Sequence, residues 1–407
     1  MIDTPIGGIP ASELAATYGT PLVVYDLDDV DLAVDALTRA FIARGITVAY
    51  AAKAFLCVAL VEALAATPLW LDVCSLGELR TAERGGYPAG RIYFHGCGKS
   101  DEELQAIAAG RVAFNVIDNI EEVERLASFL HGEGRCDVAL RINTGIEAHT
   151  HEYIRTGGEN TKFGIPLADL PAVLERIANH PKLRLMGLHG HIGSQIAEAV
   201  PFIDNLALLI EQAGLARAAG HPIELLIGGG GMGVEETPGA PRPLDLDALG
   251  EQLAAAMAGT PYRLALEPGR AVIARAGTTL YRLMALKTQG RRRFAIIDGG
   301  MADNPRPALY GATHAFEIMT SAASGELVGA TLCGRSCEND VLEPVDVPAD
   351  IRAGDLVALR TTGAYTYSMA SNYNRFGKPA VVFVRDGSHR LAVRRESAED
   401  TLRNDIS

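Results

Sequence analysis

The stretch that decides the fold is TVAYAAKAFLCVALVEALAATPLWLDVCS, residues 47–75. It opens with an apolar, β-prone run (47–53), continues with the helical periodicity of VALVEALAAT, and returns to a β-prone run (70–75). Two strands joined through a helix are typical of a parallel sheet. The stretch therefore predicts a β-α-β unit.

The same alternation continues through the first two-thirds of the chain. Helical stretches such as SLGELRTAERGG and DEELQAIAAG separate further short β-prone runs. The eight candidate strands are 47–53, 70–75, 91–96, 114–118, 137–143, 183–193, 223–229 and 262–269. Eight such units predict an α/β fold closed into a (β/α)8 TIM-type barrel, with a doubly wound open sheet as the structural alternative.

After about residue 275 the pattern changes to short strands separated by turn signals. The runs are TTLYRLMALKTQ, RRRFAIIDGG, ELVGATLCG, GDLVALRTTG and PAVVFVRDG. They predict a C-terminal β-rich domain, sandwich-like or barrel-like, that also includes the N-terminal strand LVVYDLD (22–28). We therefore expect a barrel over 29–274 and a discontinuous β domain formed by 1–28 and 275–407.

The conspicuous polar and glycine residues fall at the carboxyl ends of the predicted strands, where the active sites of such barrels lie. The first, sixth, seventh and eighth strands are followed in turn by Lys53, by His191 and Ser194, by Gly229–Gly231, and by Glu267 and Arg270. Their common position predicts one site at this rim of the barrel.

Lys53 and the glycine run each allow two interpretations. Lys53 follows the apolar run AYAA, and poor solvation there would lower the pKa of its amine and favour the neutral form that a Schiff base needs. A surface lysine just past a strand end is the alternative. The run GGGGMG (228–233) can expose backbone N–H groups to a phosphate, but glycine also serves tight turns and close packing.

Two histidine pairs, His149/His151 and His189/His191, alternate along extended runs. Alternate residues share a face, so a two-histidine metal site is geometrically possible. No third ligand follows at a suggestive spacing, and we therefore predict no metal. His189 is interpreted as a buried imidazole hydrogen-bonded within the core or behind the site.

The composition of the chain limits the partners and the cellular compartment that we expect. The formal net charge of −13 disfavours nonspecific binding to nucleic acid or an anionic membrane. The chain begins without a secretory signal pattern, and no apolar run approaches the roughly 20 residues of a membrane helix. Six scattered cysteines in such a chain favour reduced thiols. We expect a cytoplasmic protein without nucleic-acid or membrane partners.

Two segments of the second domain carry reactive side chains. GRSCEND holds Cys337 and Glu338 in a glycine-bounded acidic loop, which favours an accessible thiol over a buried inert one. DNPRPALYG is predicted to be a rigid loop that presents Arg306 and Tyr310, with an exposed structural loop as the alternative.

The order of the motifs resembles that of the fold-type III pyridoxal-phosphate (PLP) decarboxylases, and most closely the diaminopimelate decarboxylase family. The resemblance extends from before residue 50 to beyond residue 374. The runs that carry it are YAAKAF, DVCSLGEL, RINTGIEAHTHEYIRTGGENTKFGI, HIGSQI, GGGMG, EPGRAVIARAGTTLY, DGGMADNPRPALYGA, SCEND and GAYTYSMASNYN. It implies a PLP-holding barrel with a β domain, in agreement with the strand pattern.

The resemblance also implies cofactor contacts. Lys53 would form the Schiff base with PLP, His191 would stack on its ring, and Glu267 would accept a hydrogen bond from the pyridine nitrogen. A carboxylate at that place favours decarboxylation, whereas the arginine of the related alanine racemases favours weaker electron withdrawal. The phosphate and the rest of the cofactor would be contacted by Ser194, Gly229, Gly230, Gly231, Tyr365, Asp72, Gly269 and Arg270.

Family members form head-to-tail homodimers with shared sites, which implies that Cys337 reaches in from the partner subunit and protonates the α-carbon. Glu338 would meet the distal amine of the substrate. The implied substrate-binding residues are Arg270, Arg306, Tyr310, Glu338 and Tyr365. Ornithine and lysine have no distal carboxylate to pair with these arginines.

The resemblance therefore implies decarboxylation of meso-2,6-diaminopimelate to L-lysine in lysine biosynthesis. In the family, the run SNYN is usually followed by an arginine- and proline-rich stretch, whereas this chain reads SNYNRFGKP. This difference leaves the identity of the substrate open. One alternative is the same chemistry on a glutamyl carrier, on ornithine or lysine, or on a carboxy-polyamine. Others are a noncatalytic PLP-binding regulator, disfavoured by the presence of Lys53 and Cys337, and a metal-dependent barrel hydrolase.

Overall fold

The computed structural model describes residues 3–132, 134–146, 161–237, 243–319 and 325–406. The chain forms two compact units. The barrel unit contains Val34–Val234 and Arg242–Val272, and the β-rich unit contains Met1–Ala33, Glu235–Pro241 and Ile273–Ser407. The short segment Glu235–Pro241 lies inside the predicted barrel domain along the chain but groups with the β-rich unit. The predicted domain boundaries stay a prediction.

The described strands are β1 (Pro5–Ile6), β2 (Ile9–Pro10), β3 (Leu22–Asp26), β4 (Thr47–Ala51), β5 (Trp70–Val73), β6 (Ile92–Phe94), β7 (Phe114–Ile117), β8 (Cys136–Asn143), β9 (Ile165–Pro166), β10 (Leu183–His189), β11 (Leu225–Ile227), β12 (Arg263–Leu266), β13 (Gly277–Gln289), β14 (Arg292–Ile297), β15 (Phe316–Met319), β16 (Leu327–Cys333), β17 (Val341–Pro348), β18 (Leu356–Arg360), β19 (Ala380–Arg385) and β20 (Ser388–Val393).

The described α-helices are α1 (Ala11–Tyr18), α2 (Leu27–Ala40), α3 (Val58–Ala65), α4 (Leu76–Arg84), α5 (Asp101–Ala108), α6 (Ile120–Phe129), α7 (Leu170–Ala178), α8 (Val200–Ala218), α9 (Leu246–Met257), α10 (Arg270–Ile273) and α11 (Arg306–Tyr310).

The barrel unit is built on eight parallel strands that close on themselves. They are β4 to β8 and β10 to β12, and the last pairs with the first through Ala265 beside Thr47 and Leu266 beside Val48. The additional strand β9 pairs with the end of β8. All eight strands predicted from the sequence are present, which confirms the closed barrel and excludes the open sheet.

The packing of the barrel interior explains why these strands are apolar. Inward-facing residues form one apolar cluster: Ala49, Tyr93, Phe114, Val116, Ala139, Met186, Leu225, Ile227 and Ala265. Helices cover the outer face, so the strands are buried on both sides and appear in the sequence as continuous apolar runs.

Several helices of the barrel begin at side-chain caps that the sequence supplies. The hydroxyl of Ser100 and the carboxylate of Glu103 form a capping box at the start of α5. Ser75, Asn119 and Asp245 accept backbone N–H groups at the starts of α4, α6 and α9. Each such cap ends the loop that follows a strand, which limits the freedom of the rim residues.

The β-rich unit contains a sheet in the order β17-β16-β14-β13-β3-β19-β20, with β18 pairing both β13 and β15. The N-terminal strand β3 lies at its centre, antiparallel to β13 and parallel to β19. Its side chains Leu22 and Val24 pack with Leu280 and Val382 in the core. This confirms the expected inclusion of the N-terminal strand in the β domain.

Three longer strands of this unit were missed by sequence pattern, namely β15, β17 and β20. β17 contains Pro344 and Pro348, and proline within a run argues against a central strand. β17 and β20 lie at the two ends of the sheet order, where proline and polar residues are tolerated because one side of the strand needs no ladder partner.

The part of the chain that the structure describes contains no helix long and apolar enough to cross a membrane. None of the six cysteines, all of which lie in the described ranges, forms a disulfide bond. The histidine pair His149/His151 lies outside the described residues, as does most of the 145–165 segment.

Candidate active site

Lys53 lies just beyond the carboxyl end of β4, in a 3-10 turn over Ala52–Ala54. Ala52 and Ala54 are buried, whereas Lys53 is exposed. The Tyr50 hydroxyl stabilises the turn by donating to the Phe55 carbonyl over 2.6 Å. The expectation that Lys53 is poorly solvated is therefore wrong, because the turn buries its small apolar neighbours and directs the long side chain out of the core.

Two carboxylates from the next β-α unit interact electrostatically with Lys53. Asp72 is in β5 and only 4% exposed, and Glu78 is in α4. Burial raises the pKa of both carboxyls, with Glu267 adding to the effect at Asp72, while Lys53 acts in the opposite direction on both. Asp72 Oδ1 is buried and has no hydrogen-bond partner among the described residues. The structure thus brings predicted Asp72, and unpredicted Glu78, close to Lys53.

The carboxylate of Glu267, just after β12, is held by side chains from β6 and β10. The Tyr93 hydroxyl donates to Oε1 over 2.8 Å. Oε2 lies 3.0 Å from His189 Nε2, and Oε1 lies 3.4 Å from His95 Nε2. The interpretation of His189 as a hydrogen-bonded imidazole behind the site agrees with this geometry. Tyr93 and His95 were missed, although His95 also follows the carboxyl end of its strand.

The surroundings of Glu267 favour its ionised form. Burial alone opposes the charge, but the electrostatic interactions and hydrogen bonds of the His189 and His95 imidazoles outweigh burial and lower the pKa of Glu267 well below its ordinary value. Burial lowers the pKa of both histidines, that of His95 to about 3, where the neighbouring His189 adds to the effect. The cluster is an ionised carboxylate that accepts hydrogen bonds from a phenol and a neutral imidazole.

His191 is also held as a neutral imidazole. Its Nδ1 accepts the backbone N–H of Gly230 over 3.2 Å, so this nitrogen carries no proton. Burial, followed by the charge of Lys53, lowers the pKa of His191 well below its ordinary value. A neutral, partly buried ring is therefore fixed beside the glycine run at the rim.

The glycine run brings the ends of three neighbouring strands together. A methyl group on Gly230 would lie 2.0 Å from the Glu267 carbonyl oxygen, and one on Gly231 would lie 2.2 Å from the Gly193 carbonyl oxygen. Gly229 and Gly231 also have positive φ angles of 72° and 98°. Close packing therefore requires glycine here, and contact with a phosphate stays a prediction.

The remaining predicted residues of the barrel unit lie at the same rim. Ser194 follows Gly193 and is partly buried. Arg270 begins α10 and is 7% exposed, and the Gly269 carbonyl accepts the N–H of Val272 in the same turn. The structure therefore brings the predicted rim residues of this unit together, while their individual roles stay predictions.

The described residues bring together one group of three side chains that could hold a metal ion. The group is His95, His189 and Glu267, whose ligand atoms lie within 4.8 Å of one another. The sequence pattern suggested no third ligand for His189, and the structure supplies two. The atoms of His189 and Glu267 face each other at hydrogen-bond distance. We therefore interpret the group as a hydrogen-bonded network that orients Glu267.

A second buried network was also missed by sequence reasoning. The Arg141 guanidinium lies 3.7 Å from the Asp118 carboxylate and 4.5 Å from the centre of the Phe163 ring. Asp118 also accepts the N–H of Gly164 over 3.2 Å. These contacts anchor the segment that enters β9, directly after the part of the 145–165 run that is not described.

The other predicted site residues belong to the β-rich unit. The run DNPRPALYG forms the short helix α11 where a loop was predicted, because Pro307 suits the first helical turn and Gly311 ends the helix with a φ of 61°. Arg306 is 3% exposed, and its Nη2 donates to Glu236 Oε1 over 2.7 Å. The alternative of an exposed structural loop is therefore wrong for Arg306.

Cys337 and Glu338 lie in an exposed loop that contacts the segment 365–375. The Cys337 N–H donates to Asn374 Oδ1 over 3.1 Å, and the thiol-bearing residue is exposed as expected. The Tyr373 hydroxyl donates to Glu338 Oε1 over 2.6 Å, a contact that raises the pKa of Tyr373.

The same segment contacts the second predicted group of this unit. It begins near Tyr365, whose φ of 61° is unusual for a residue with a side chain. Met369 lies in its middle, and the Tyr310 hydroxyl is 3.9 Å from its sulfur atom. The structure therefore joins the Cys337–Glu338 loop and Tyr310 through one segment.

A closed parallel barrel with a lysine after its first strand, a neutral histidine after its sixth and an ionised carboxylate after its eighth defines the class of barrel-type PLP enzymes. Comparison with known proteins agrees with this class. Residues 27–274 match the family model of the pyridoxal-binding domain of pyridoxal-dependent decarboxylases.

The chain belongs to the pyridoxal-dependent decarboxylases, in the family of the diaminopimelate decarboxylases. It is 43% identical to that enzyme from Actinosynnema pretiosum subsp. auranticum, over 98% of this chain and 92% of the relative. The enzyme from Bacillus subtilis is 39% identical, over 98% and 94%. Pyridoxal 5'-phosphate is therefore the cofactor.

Solved structures show the same similarity. The diaminopimelate decarboxylase from Helicobacter pylori, complexed with L-lysine, is 30% identical with a TM-score of 0.90, covering 96% of this chain and 98% of that chain. The enzyme from M. jannaschii, also with L-lysine, is 29% identical with a TM-score of 0.91, covering 100% and 96%. The predicted combination of barrel and β domain is confirmed.

Proposed function

We propose that this protein decarboxylates meso-2,6-diaminopimelate to L-lysine and CO2, as a step of lysine biosynthesis. The observation that carries the proposal is identity of up to 43% across nearly the whole chain with enzymes named for that substrate. The structural relatives complexed with L-lysine, the product of this reaction, give further support.

The residues at the barrel rim suit a pyridoxal group. Lys53 presents an amine at the strand end. Its neighbours include the buried Asp72 Oδ1, for which the described residues supply no hydrogen-bond partner. The neutral ring of His191 offers a face for stacking. Ser194, the glycine run Gly229–Gly231 and Tyr365 would hold the phosphate, with Gly269 and Arg270 completing the contacts.

The ionised Glu267 carries the chemical argument for decarboxylation. When bound, PLP supplies an electron sink for the pair left by the departing CO2. Glu267 would accept a hydrogen bond from a protonated pyridine nitrogen and so would stabilise the charge on that nitrogen. Tyr93 and His189 keep the carboxylate oriented and ionised by donating to its two oxygens.

Substrate selection would depend on the β-rich unit together with Arg270. Arg270, Arg306 and Tyr310 would bind the distal carboxylate through charge-assisted hydrogen bonds. Glu338 would accept a hydrogen bond from the distal amine, and Tyr365 would contact the substrate. Ornithine and lysine as substrates lack the distal carboxylate, and the remaining donors of Arg306 would then have no acceptor, which would weaken their binding.

The proposed assembly is a cytoplasmic homodimer with shared sites. Cys337 of the partner subunit would transfer its thiol proton to the α-carbon after the bond to the carboxylate carbon breaks and CO2 leaves. The exposure of this cysteine supports the role. The six cysteines, none of which forms a disulfide bond, support a reducing compartment.

The test is incubation of the purified protein with PLP and diaminopimelate, with release of lysine and CO2 measured. Ornithine, lysine and a carboxy-polyamine are run in parallel under the same conditions. We expect turnover of diaminopimelate and borohydride trapping of the cofactor on Lys53. Turnover of another substrate without any lysine from diaminopimelate would contradict the proposal.

A further inference from the structure

The ion pair between Arg306 and Glu236 is largely buried. The side chain of Arg306 is 4% exposed and that of Glu236 is 13% exposed, with Nη2 and Oε1 separated by 2.7 Å. A guanidinium this far from water needs a paired charge, because an uncompensated buried charge costs several kcal/mol. Glu236 supplies that charge from a sequence position 70 residues away.

The pairing uses only part of the Arg306 guanidinium. Its Nε and Nη1 atoms are buried and have no hydrogen-bond partner among the described residues. The side-chain amide of Asn304, two residues earlier and 1% exposed, likewise has no partner within the described ranges for its nitrogen or oxygen. Buried donors are normally satisfied, so unused donors held in a fixed place indicate a ligand with acceptor atoms.

The backbone around Glu236 restricts where its carboxylate can lie. The Glu236 carbonyl accepts the N–H of Ala315 over 3.4 Å, and the Ala315 carbonyl accepts the N–H of Arg360 over 2.8 Å. Glu236 is thereby attached to the residues that lead into the β15–β18 strand pair. A carboxylate held in this way can determine the orientation of the guanidinium as well as neutralise it.

We infer that Glu236 is a positioning residue, which holds the Arg306 guanidinium so that its remaining donors meet the distal carboxylate of the substrate. This inference rests on the proposed function, in which Arg306 recognises that carboxylate. Glu236 itself does not contact the substrate in this assignment.

Two conservative variants separate positioning from charge compensation. Glu236→Gln keeps an acceptor oxygen at the same distance and removes the charge. Glu236→Asp keeps the charge and withdraws the carboxylate by one methylene group. If Glu236 positions Arg306, the Gln variant retains most of the recognition and the Asp variant loses it; if only the charge matters, the order is reversed.

The measurement is steady-state kinetics of the holoenzyme with diaminopimelate, together with inhibition by cadaverine (1,5-diaminopentane), which has both amines of L-lysine but no carboxylate. For Glu236→Asp we expect KM for diaminopimelate to rise roughly ten-fold or more with kcat nearly unchanged, as for loss of a binding contact. The inhibition constant of cadaverine should stay within about two-fold, since it has no carboxylate to meet Arg306. Glu236→Gln should keep KM within about three-fold of the parent value.

The matched control is Glu317→Asp, which shortens the partner of the Arg360 guanidinium in the same unit, where the ion pair spans 3.0 Å. It should change neither constant. Equal weakening of diaminopimelate and cadaverine by Glu236→Asp, or an unchanged KM, would overturn the positioning role. If the parent enzyme releases no lysine from diaminopimelate, the proposed function itself fails, and that result is visible before any variant is made.

Discussion

At the scale of single residues, the environment of Glu267 explains why an ionised carboxylate persists inside the barrel. The side chain is 6% exposed, and burial without partners would favour its neutral form. Both oxygens instead accept hydrogen bonds, from Tyr93 and from His189. Two uncharged donors therefore maintain a charge that the proposed chemistry needs.

The Tyr93 hydroxyl provides a direct test of this environment. Tyr93→Phe removes one donor to the ionised carboxylate and should raise the pKa of Glu267 toward its ordinary value, because that donor favours the charged form. We expect kcat to fall roughly ten-fold and the acid limb of its pH profile to move to higher pH, in line with loss of a hydrogen bond to a charged group. The pH dependence of kcat and the visible spectrum of the bound cofactor measure the effect.

Tyr87→Phe is the matched control for this change. The Tyr87 hydroxyl is also buried in the barrel unit and donates to the Leu69 carbonyl over 2.6 Å, but it does not contact Glu267. Its loss should cost about 1 kcal/mol of stability and leave the pH profile unchanged. Identical profiles for Tyr93→Phe and the parent would exclude the assigned role.

At the scale of secondary-structure elements, the loops after neighbouring barrel strands depend on one another. The backbone N–H of Glu267 donates to the Gly229 carbonyl over 2.8 Å, and the N–H of Ile196 donates to the Gly231 carbonyl over 2.9 Å. The loop after β11 is thus bonded to both the β12 and β10 loops. A substitution that displaces the backbone of the β11 loop should therefore also displace the β10 and β12 loops.

Gly230→Ala tests this packing. The added methyl group would lie 2.0 Å from the Glu267 carbonyl oxygen, and the obstacle is backbone that cannot rotate away. We expect destabilisation of about 2 kcal/mol or more and weaker retention of the cofactor, as for other overpacked sites. Chemical denaturation and the spectrum of the bound cofactor report the two effects.

Gly214→Ala makes the same substitution in a place that can accept it. Gly214 lies inside α8, is exposed, and has nothing within 4 Å of an added methyl group. Replacing glycine in a helix interior should stabilise the chain by about 0.5–1 kcal/mol. A parent-like denaturation curve for Gly230→Ala would mean that the loop adjusts without strain.

At the scale of the whole molecule, the buried histidines link stability to pH. The ordinary pKa of 6.5 for His95 falls to about 3 in the folded chain, mainly through burial. Between these values protonation favours the unfolded chain, so the stabilising contribution of neutral His95 is complete above pH 6.5 and is lost as the pH falls toward 3. The raised pKa of Asp72 acts in the opposite sense, with stability lost as the pH rises above 3.8.

Comparison of His95→Gln with the parent isolates the histidine contribution. We expect the unfolding free energy of the parent to fall more steeply than that of the variant below pH 6.5, by at most about 1.4 kcal/mol per pH unit for one group. Denaturation curves measured from pH 4 to 8 give both slopes. The exposed His131 supplies the control variant, His131→Gln, which should retain the parent slope; a parent-like slope for His95→Gln would contradict the linkage.

Much of the architecture could be predicted because it depends on local sequence patterns. The eight barrel strands and helices such as α4 and α5 depend on apolar periodicity over a few residues, and each was placed within a few residues of its observed ends. The strand-end rule then placed Lys53, His191 and Glu267 on one rim. β17 was missed because it contains prolines, which in a local pattern argue against a strand although an edge strand tolerates them.

The sequence by itself therefore determined the barrel, the rim and the family, since periodicity and motif order are properties of neighbouring residues. Only the tertiary structure decided which partners hold the reactive groups. Tyr93 reaches Glu267 across 174 positions and Glu236 reaches Arg306 across 70, while Lys53 proved exposed where its apolar neighbours suggested burial. Such contacts arise from closure of the sheet and packing of loops, and no local pattern records which distant side chain will arrive within hydrogen-bond distance.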